Sequence, residues 1–204
     1  MQITIIDYGM GNLHSVAKKI KSLGHTPVIT SDINVVLKAE KLILPGVGHF
    51  KKAMINLEKL GLKEALNKVV LEDKVPILGI CLGMQLMAEE SEEGDVKGLG
   101  WIEGKVVKFK VKDTLKYKVP HTGWNQITIK KESPLMKDIR DLSEFYFVHA
   151  YHWVSSNSEY VSNETEYEFQ FPSAVEKNNI FGVQYHPEKS HDVGAILLKN
   201  FINL

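Results

Sequence analysis

The sequence predicts an α/β protein: a central, mostly parallel sheet flanked by helices and extended by added antiparallel strands. Three observations predict it. Short apolar, β-rich runs alternate with helix-periodic stretches through the first half, which implies right-handed βαβ units. Residues 104–184 are rich in strand-like runs and poor in helical period, the mark of antiparallel or mixed sheet. The apolar run 76–80 passes directly into a helix through Gly79-Ile80-Cys81-Leu82-Gly83, a strand-turn-helix signature.

Residues 3–6 (ITII) form the first strand, ended by Asp7-Tyr8-Gly9. Over 12–23, Leu13, Val16, Ala17, Ile20 and Leu23 recur at helical spacing until Gly24 stops the helix. Strands follow at 27–30 and 42–44, the latter ending in the turn Pro45-Gly46-Val47-Gly48. Met54, Leu57, Leu60, Leu62, Ala65, Leu66, Val69 and Val70 mark two helices broken near Gly61, before a strand at 76–80 and a helix over 83–90. Downstream strands are expected at 106–111, 126–129, 145–154, 173–175 and 181–185. Val193, Ile196, Leu197 and Phe201 place a closing helix over 192–201. No repeat and no linker rich in Pro, Gly or Ser divides the 204 residues, so one domain over 1–204 is expected.

Composition narrows the function. Lys and Arg number 25 against 25 Asp and Glu, so the chain lacks the net charge of a general binder of nucleic acid or acidic membrane. No apolar run nears the roughly 20 residues of a spanning helix, and the beginning MQITIIDYG lacks the basic-then-apolar layout of a secretory leader. A cytoplasmic protein is expected. The single cysteine, Cys81, rules out an intramolecular disulfide and any CxxC motif.

Its setting gives that cysteine a chemical reading. Glycines two before and two after it match the cysteine form of the nucleophile elbow, in which a sharp turn lifts the reactive group above the sheet. The free N–H groups at the start of a helix favour a thiolate there. A thiol nucleophile needs a base and a group to orient it. In Gln184-Tyr185-His186-Pro187-Glu188-Lys189, extended backbone puts His186 and Glu188 on one side, so the carboxylate can hold the imidazole while it moves a proton. Oxyanion donors are available from the N–H of Leu82 and from the 45–48 loop. Nothing in periodicity links positions 81 and 186.

Other motifs carry structural readings. Gly9 and Gly11 after the first strand, with Asp32 further on, begin a dinucleotide fingerprint, but His14 stands where its third glycine belongs. Lys108, Lys110 and Lys112 alternate with Phe109 and Val111, which reads as a lysine-protected edge strand. Cys81, His186 and His191 have no closed zinc-site spacing. His149 and His152, in an aromatic run, are expected to be packed or hydrogen-bonded.

GICLGMQ around Cys81, PGVG at 45–48 and QYHPEKS around His186 resemble the class I, or triad, glutamine amidotransferases. Within them, DYGMGNLHSV at 7–16, PGVGHF at 45–50, VPHTGWNQI at 119–127 and YFVHAY at 146–151 are similar to the glutaminase subunits of imidazole glycerol phosphate synthases. The likeness spans nearly the whole chain with the motifs in the same order. It implies the class I glutamine amidotransferase fold and hydrolysis of L-glutamine through a thioester on Cys81. His186 would act as base and then acid, Glu188 would orient it, and Leu82 with Val47 would form the oxyanion hole. Glutamine would lie near Gly46, Gly48, Gln85 and Glu93 and along the backbone of His149, Ala150 and Tyr151. Neither a metal nor an organic cofactor is required.

The resemblance also implies a heterodimer. Ammonia would pass to a separate (β/α)8-barrel cyclase subunit, giving imidazole glycerol phosphate and AICAR in histidine biosynthesis. Asn12, Trp124 and Lys189 match positions facing that partner, which would activate the glutaminase by helping the 45–48 loop present the N–H of Val47. Two departures leave a second pathway open. Thr122 replaces a usual methionine, and His152 follows Tyr151 where another residue is common; HPEKSH followed by Asp192-Val193-Gly194 is also similar to paralogues that supply ammonia for amino-sugar synthesis in surface polysaccharides. Outside the family, the readings are an unpartnered cysteine hydrolase, a dinucleotide-binding module, or a catalytically silent interaction subunit.

Overall fold

The computed structural model describes residues 2–155 and 157–204. Apolar runs build the left half of its main sheet: β1 (Ile3–Ile6), β2 (Val28–Thr30), β3 (Lys41–Gly46) and β4 (Ile77–Cys81). Between them lie α1 (Leu13–Ser22), the short α2 (Ile33–Val36), α3 (Phe50–Lys59) and α4 (Leu62–Asn67), the last running into a π-helical turn at Lys68–Glu72. After β4 come a single turn, α5 (Leu82–Gln85), and the short strands β5 (Glu90–Ser91), β6 (Val96–Lys97) and β7 (Lys105–Lys108). Next are β8 (His121–Gln126), β9 (Thr128–Ile129), β10 (Glu144–His149) and β11 (Tyr151–Val154). The chain closes with β12 (Val161–Tyr167), β13 (Phe169–Lys177), β14 (Ile180–Val183) and α6 (His191–Ile202).

The main sheet has eight strands in the order β2-β1-β3-β4-β14-β13-β12-β9. Its first five strands are parallel and the rest antiparallel. Side chains alternate between its two faces. On β3, Leu42 and Leu44 enter the core shared with α3 and α4, while Ile43 enters the core shared with α1 and α6. A β8–β10 ribbon covers one face, and a small sheet ordered β11-β7-β5-β6 adjoins the other core through Trp153 and Val106.

Several elements depart from the expectations. The helix over 83–90 is one turn long because the carbonyls of Leu86, Met87 and Ala88 accept from Leu99, Trp101 and Gly100 instead of continuing a helical ladder. The run 145–154 is two strands, in different sheets, parted at Ala150. The run 106–111 ends its strand at Lys108, and β7 is no edge: it lies between β11 and β5. Periodicity missed β12, whose buried positions after Val161 are polar. Thr165 donates to Ser173 Oγ at 2.8 Å, Ser173 donates to Asn163 Oδ1 at 2.7 Å, and Asn163 Nδ2 donates to Tyr185 Oη at 3.0 Å. That satisfied polar ladder does inside the sheet what apolar alternation usually signals.

The would-be dinucleotide motif is consumed by structure. Asp32 caps α2 by accepting from the N–H of Asn34 at 2.8 Å, and Asn12 caps α1 through Ser15 at 3.3 Å. No helix among the described residues is long and apolar enough to cross a membrane.

Candidate active site

Sheet register decides where the reactive groups meet. Gly46, at the end of β3, pairs with Cys81, at the end of β4, so the 45–48 loop and the elbow leave the sheet side by side. On the other flank of β4, β14 pairs Val183 with Ile80, which delivers His186 three residues later to the same edge. This is the spatial link between positions 81 and 186 that periodicity could not supply.

Cys81 adopts φ 54° and ψ −111°, a backbone conformation that L residues rarely hold. The flanking glycines make the turn possible. A Cβ on Gly83 would stand 1.7 Å from the carbonyl oxygen of Leu44, and one on Gly79 would stand 2.7 Å from the Gly83 carbonyl. Around the sulfur, Gln184 Nε2 lies 3.7 Å from Sγ, and Sγ lies 3.8 Å from the Val148 carbonyl.

His186 and Glu188 are held behind it, not on the extended backbone expected but across the 3-10 turn Pro187–Lys189 that follows β14, where the turn brings the carboxylate back to the ring. His186 Nδ1 is 2.8 Å from Glu188 Oε1, and both side chains are only 2% exposed. The N–H of His186 donates to the Tyr146 carbonyl at 2.9 Å, and Ser190 Oγ donates to the His186 carbonyl at 2.7 Å, which ties this loop to β10. The buried Nε2 has no hydrogen-bond partner among the described residues, leaving it free for a proton in transit. Burial alone would push this imidazole down; Cys81 and then the Glu188 carboxylate override it and push the pKa up to about 10.

A cavity of about 270 Å³ opens over Cys81. It brings together Val47, Gly48, Leu82, Gln85, Glu93, His149, Ala150 and Tyr151 as the resemblance implied, and adds Pro120 and Val148, which sequence reasoning missed. Gly46 lies just behind its wall, where a Cβ would come 2.9 Å from Leu82 Cβ. Beneath the 45–48 loop, Tyr8 Oη donates to the Pro45 carbonyl at 2.8 Å, and its pKa is raised by burial and by the charge of Cys81. Glu93 Oε2 accepts from the N–H of Phe50 at 2.7 Å, capping α3 across the mouth of the cavity. Gln85 Nε2 donates to the Tyr151 carbonyl at 3.0 Å and to Gln184 Oε1 at 2.9 Å. Gln184 itself, in the bend between β14 and His186, was legible only as part of a motif.

His149 and His121 are buried and hydrogen-bonded, as expected for His149. Burial pushes His121 down to about 4. A histidine with a depressed folded-state pKa is neutral in the fold and takes up a proton on unfolding. Its contribution to stability is present above about pH 6.5, the unfolded value, and is lost as the pH falls toward 4. Urea unfolding should show wild-type stability dropping from pH 7 to 4.5 by about 2 kcal/mol more than that of His121→Phe. Equal drops would contradict the neutral buried ring.

Asn12, Trp124 and Lys189, the positions that the resemblance assigned to a partner face, are exposed. Trp124, 45% exposed, stacks on His191 with ring centroids 5.0 Å apart, and Lys189 Nζ sits 5.5 Å from the Tyr146 ring. Lys19 of α1, the helix that Asn12 caps, donates to the His191 carbonyl at 2.7 Å. His191 thus belongs to this aromatic face. Among the described residues no three His, Cys, Asp or Glu side chains are grouped to hold a metal ion.

A strained thiol beside a buried His–Glu pair and a cavity with backbone donors is the equipment of an α/β enzyme that works by acyl transfer to sulfur. The sequence matches the glutamine amidotransferase class-I family over residues 4–204, and the chain belongs to that family. It is 50% identical to imidazole glycerol phosphate synthase subunit HisH 2 of Methanococcus maripaludis, over 98% of both chains. It is likewise 50% identical to subunit HisH 1 of Campylobacter jejuni strain RM1221, over 99% of this chain and 100% of the relative. Among solved structures, PurLQS from Thermotoga maritima shares the fold with a TM-score of 0.75 at 16% identity, over 99% of this chain and 97% of that one. The glutaminase domain of Trypanosoma brucei CTPS with bound acivicin gives 0.65 at 18% identity, over 100% and 94%. The α/β fold is that of the class I glutamine amidotransferases, enzymes with a cysteine nucleophile.

Proposed function

We propose that residues 1–204 act as one glutaminase domain that hydrolyses L-glutamine to glutamate and ammonia in the cytoplasm. The observation that carries this is Cys81 on its strained elbow, with the buried His186–Glu188 pair behind it and the Gln85–Glu93 cavity in front. His186 takes the Cys81 proton as Sγ attacks the side-chain carboxamide carbon, and the N–H groups of Leu82 and Val47 take the oxyanion. His186 protonates the departing nitrogen as the C–N bond breaks, leaving a glutamyl thioester. Water, deprotonated by His186, then attacks the thioester; the C–S bond breaks and the thiolate returns. Gly46, Gly48, Gln85 and Glu93 and the 149–151 backbone hold glutamine.

In this reading the ammonia passes to a (β/α)8-barrel cyclase subunit, which forms imidazole glycerol phosphate and AICAR in histidine biosynthesis. Asn12, Trp124 and Lys189 face that subunit, and its docking helps the 45–48 loop present the N–H of Val47. The names and 50% identity of the HisH relatives support the pathway. Thr122 and the HPEKSH segment support a second reading, in which ammonia feeds amino-sugar synthesis.

Glutamate release from L-glutamine, by the chain alone and with the barrel protein encoded beside it, tests the proposal. Strong stimulation by the barrel and by its histidine-pathway nucleotide supports the first pathway. Stimulation indifferent to that nucleotide supports the second, and no glutamate under any condition rejects both. Glu188→Gln should lower turnover less than loss of Cys81 does, and NMR titration should show the His186 pKa falling below about 10, because one of the charges that raises it is gone. An unchanged rate would remove Glu188 from the triad.

A further inference from the structure

A hydrogen-bonded chain runs behind the cavity, and its direction follows from counting protons. The Tyr151 carbonyl offers only lone pairs, so His149 Nδ1, 2.7 Å away, carries a hydrogen. Burial keeps the His149 ring neutral, which leaves Nε2 bare. The 3.0 Å contact of that nitrogen with His121 Nδ1 then requires His121 to donate. His121 is also neutral, so its Nε2 accepts, and Asn125 Nδ2 stands 3.3 Å from it while donating to the Glu166 carbonyl at 2.9 Å. Every hydrogen points from Asn125 toward Tyr151.

The chain ends at the reactive sulfur. The Tyr151 carbonyl takes His149 on one side and Gln85 Nε2, at 3.0 Å, on the other. Gln85 continues to Gln184 Oε1 at 2.9 Å, and Gln184 Nε2 lies 3.7 Å from Cys81 Sγ. The segment gripped in this way, Val148 to Tyr151, walls the cavity beside Cys81.

Packing alone does not call for a histidine at position 121. Its ring stacks on Tyr167 at 4.0 Å and on Phe147 at 4.9 Å, opposite His149 in the β8–β10 register, a slot that a phenylalanine would fill. What phenylalanine lacks is the Nδ1–H.

We propose that His121 is a positioning residue for glutamine hydrolysis: through His149 it fixes the Tyr151 carbonyl, and with it the 148–151 wall against which the substrate lies. The proposal rests on the glutaminase reading above. Loosening the wall weakens substrate binding more than it slows the chemistry, because the triad and the oxyanion donors lie on other segments.

The test uses the full chain, under conditions in which the wild type releases glutamate. His121→Phe should raise KM about tenfold and change kcat by less than about threefold. His121→Asn, whose amide N–H falls near the place of Nδ1, should stay within about threefold of the wild-type KM. Asn125→Ala, at a half-buried position, should raise KM in the same direction by a smaller factor, and it keeps the test open should the phenylalanine variant not fold. With ¹⁵N-labelled histidine, both wild-type rings should appear as neutral Nδ1–H tautomers at pH 6.5. A wild-type KM in His121→Phe, equal impairment in the Phe and Asn variants, or an Nε2–H tautomer at either ring would overturn the proposal. A wild type that never releases glutamate overturns the glutaminase reading itself, a failure told apart because it precedes any variant.

Discussion

Replacing Cys81 with alanine is expected to abolish glutamate release while leaving the fold nearly unchanged. The reaction has no other thiol on which to form the thioester, since Cys81 is the only cysteine in the chain. The structural cost is small by comparison. Alanine keeps the Cβ and inherits the same φ of 54°, so the strain of the elbow is unaltered. The weak contacts of Sγ with Gln184 and Val148, its electrostatic pull on His186 and a little buried packing are lost. Turnover should fall by about three orders of magnitude or more, and the melting temperature should move by no more than about 4 °C. Cys81→Gly extends the argument: equally inactive, it should melt no lower than the alanine variant, because glycine accepts this backbone without strain. Retention of more than trace turnover in Cys81→Ala would refute Cys81 as the nucleophile.

Gly83→Ala should be the most damaging single methyl in the protein's elbow. The added Cβ would sit 1.7 Å from the Leu44 carbonyl oxygen, roughly half of a normal contact distance. That oxygen belongs to β3, a fully buried central strand, and cannot swing aside like the end of a flexible side chain. Either the elbow lifts away from the sheet or β3 separates from β4. A strain of this kind falls in the exceptional range above about 4 kcal/mol, against a total stability of roughly 5–15 kcal/mol. The expected result is a melting temperature lowered by about 10 °C or more, with loss of glutaminase activity in whatever remains folded. A Gly83→Ala protein with wild-type melting and turnover would show that the turn is looser than its geometry states.

Much of the fold was legible because local signals agreed with burial. The apolar runs of β1, β3 and β4 lie in the sheet's centre, and the helical spacing of Val16, Ala17 and Ile20 marks the buried face of α1. The elements that escaped did so where a tertiary contact replaced a local rule. Strand β12 buries Asn163 and Thr165, polar residues satisfied by Ser173 and Tyr185 across neighbouring strands. The helix expected over 83–90 stops at one turn because the 98–102 segment takes its carbonyls. The site follows the same division. Cys81 and its glycines announce themselves within five residues; Pro120, His121, Val148 and His149 lie inside the 119–127 and 146–151 motifs, but nothing local says that these two segments meet at and behind the cavity.

By itself the sequence determined the alternation of strands and helices, the nucleophile elbow, and the closeness of His186 and Glu188 along the chain, although the pair meets across the 3-10 turn Pro187–Lys189 and not on extended backbone. These depend on short-range sterics and on side-chain period, which neighbouring residues settle among themselves. Only the tertiary structure decided that β14 lies beside β4, that His186 and Cys81 therefore share an edge, and that His121 and His149 are buried neutral and face each other. Strand order and burial are set by the packing of the whole chain, because backbone and polar groups taken out of water need partners that distant segments supply.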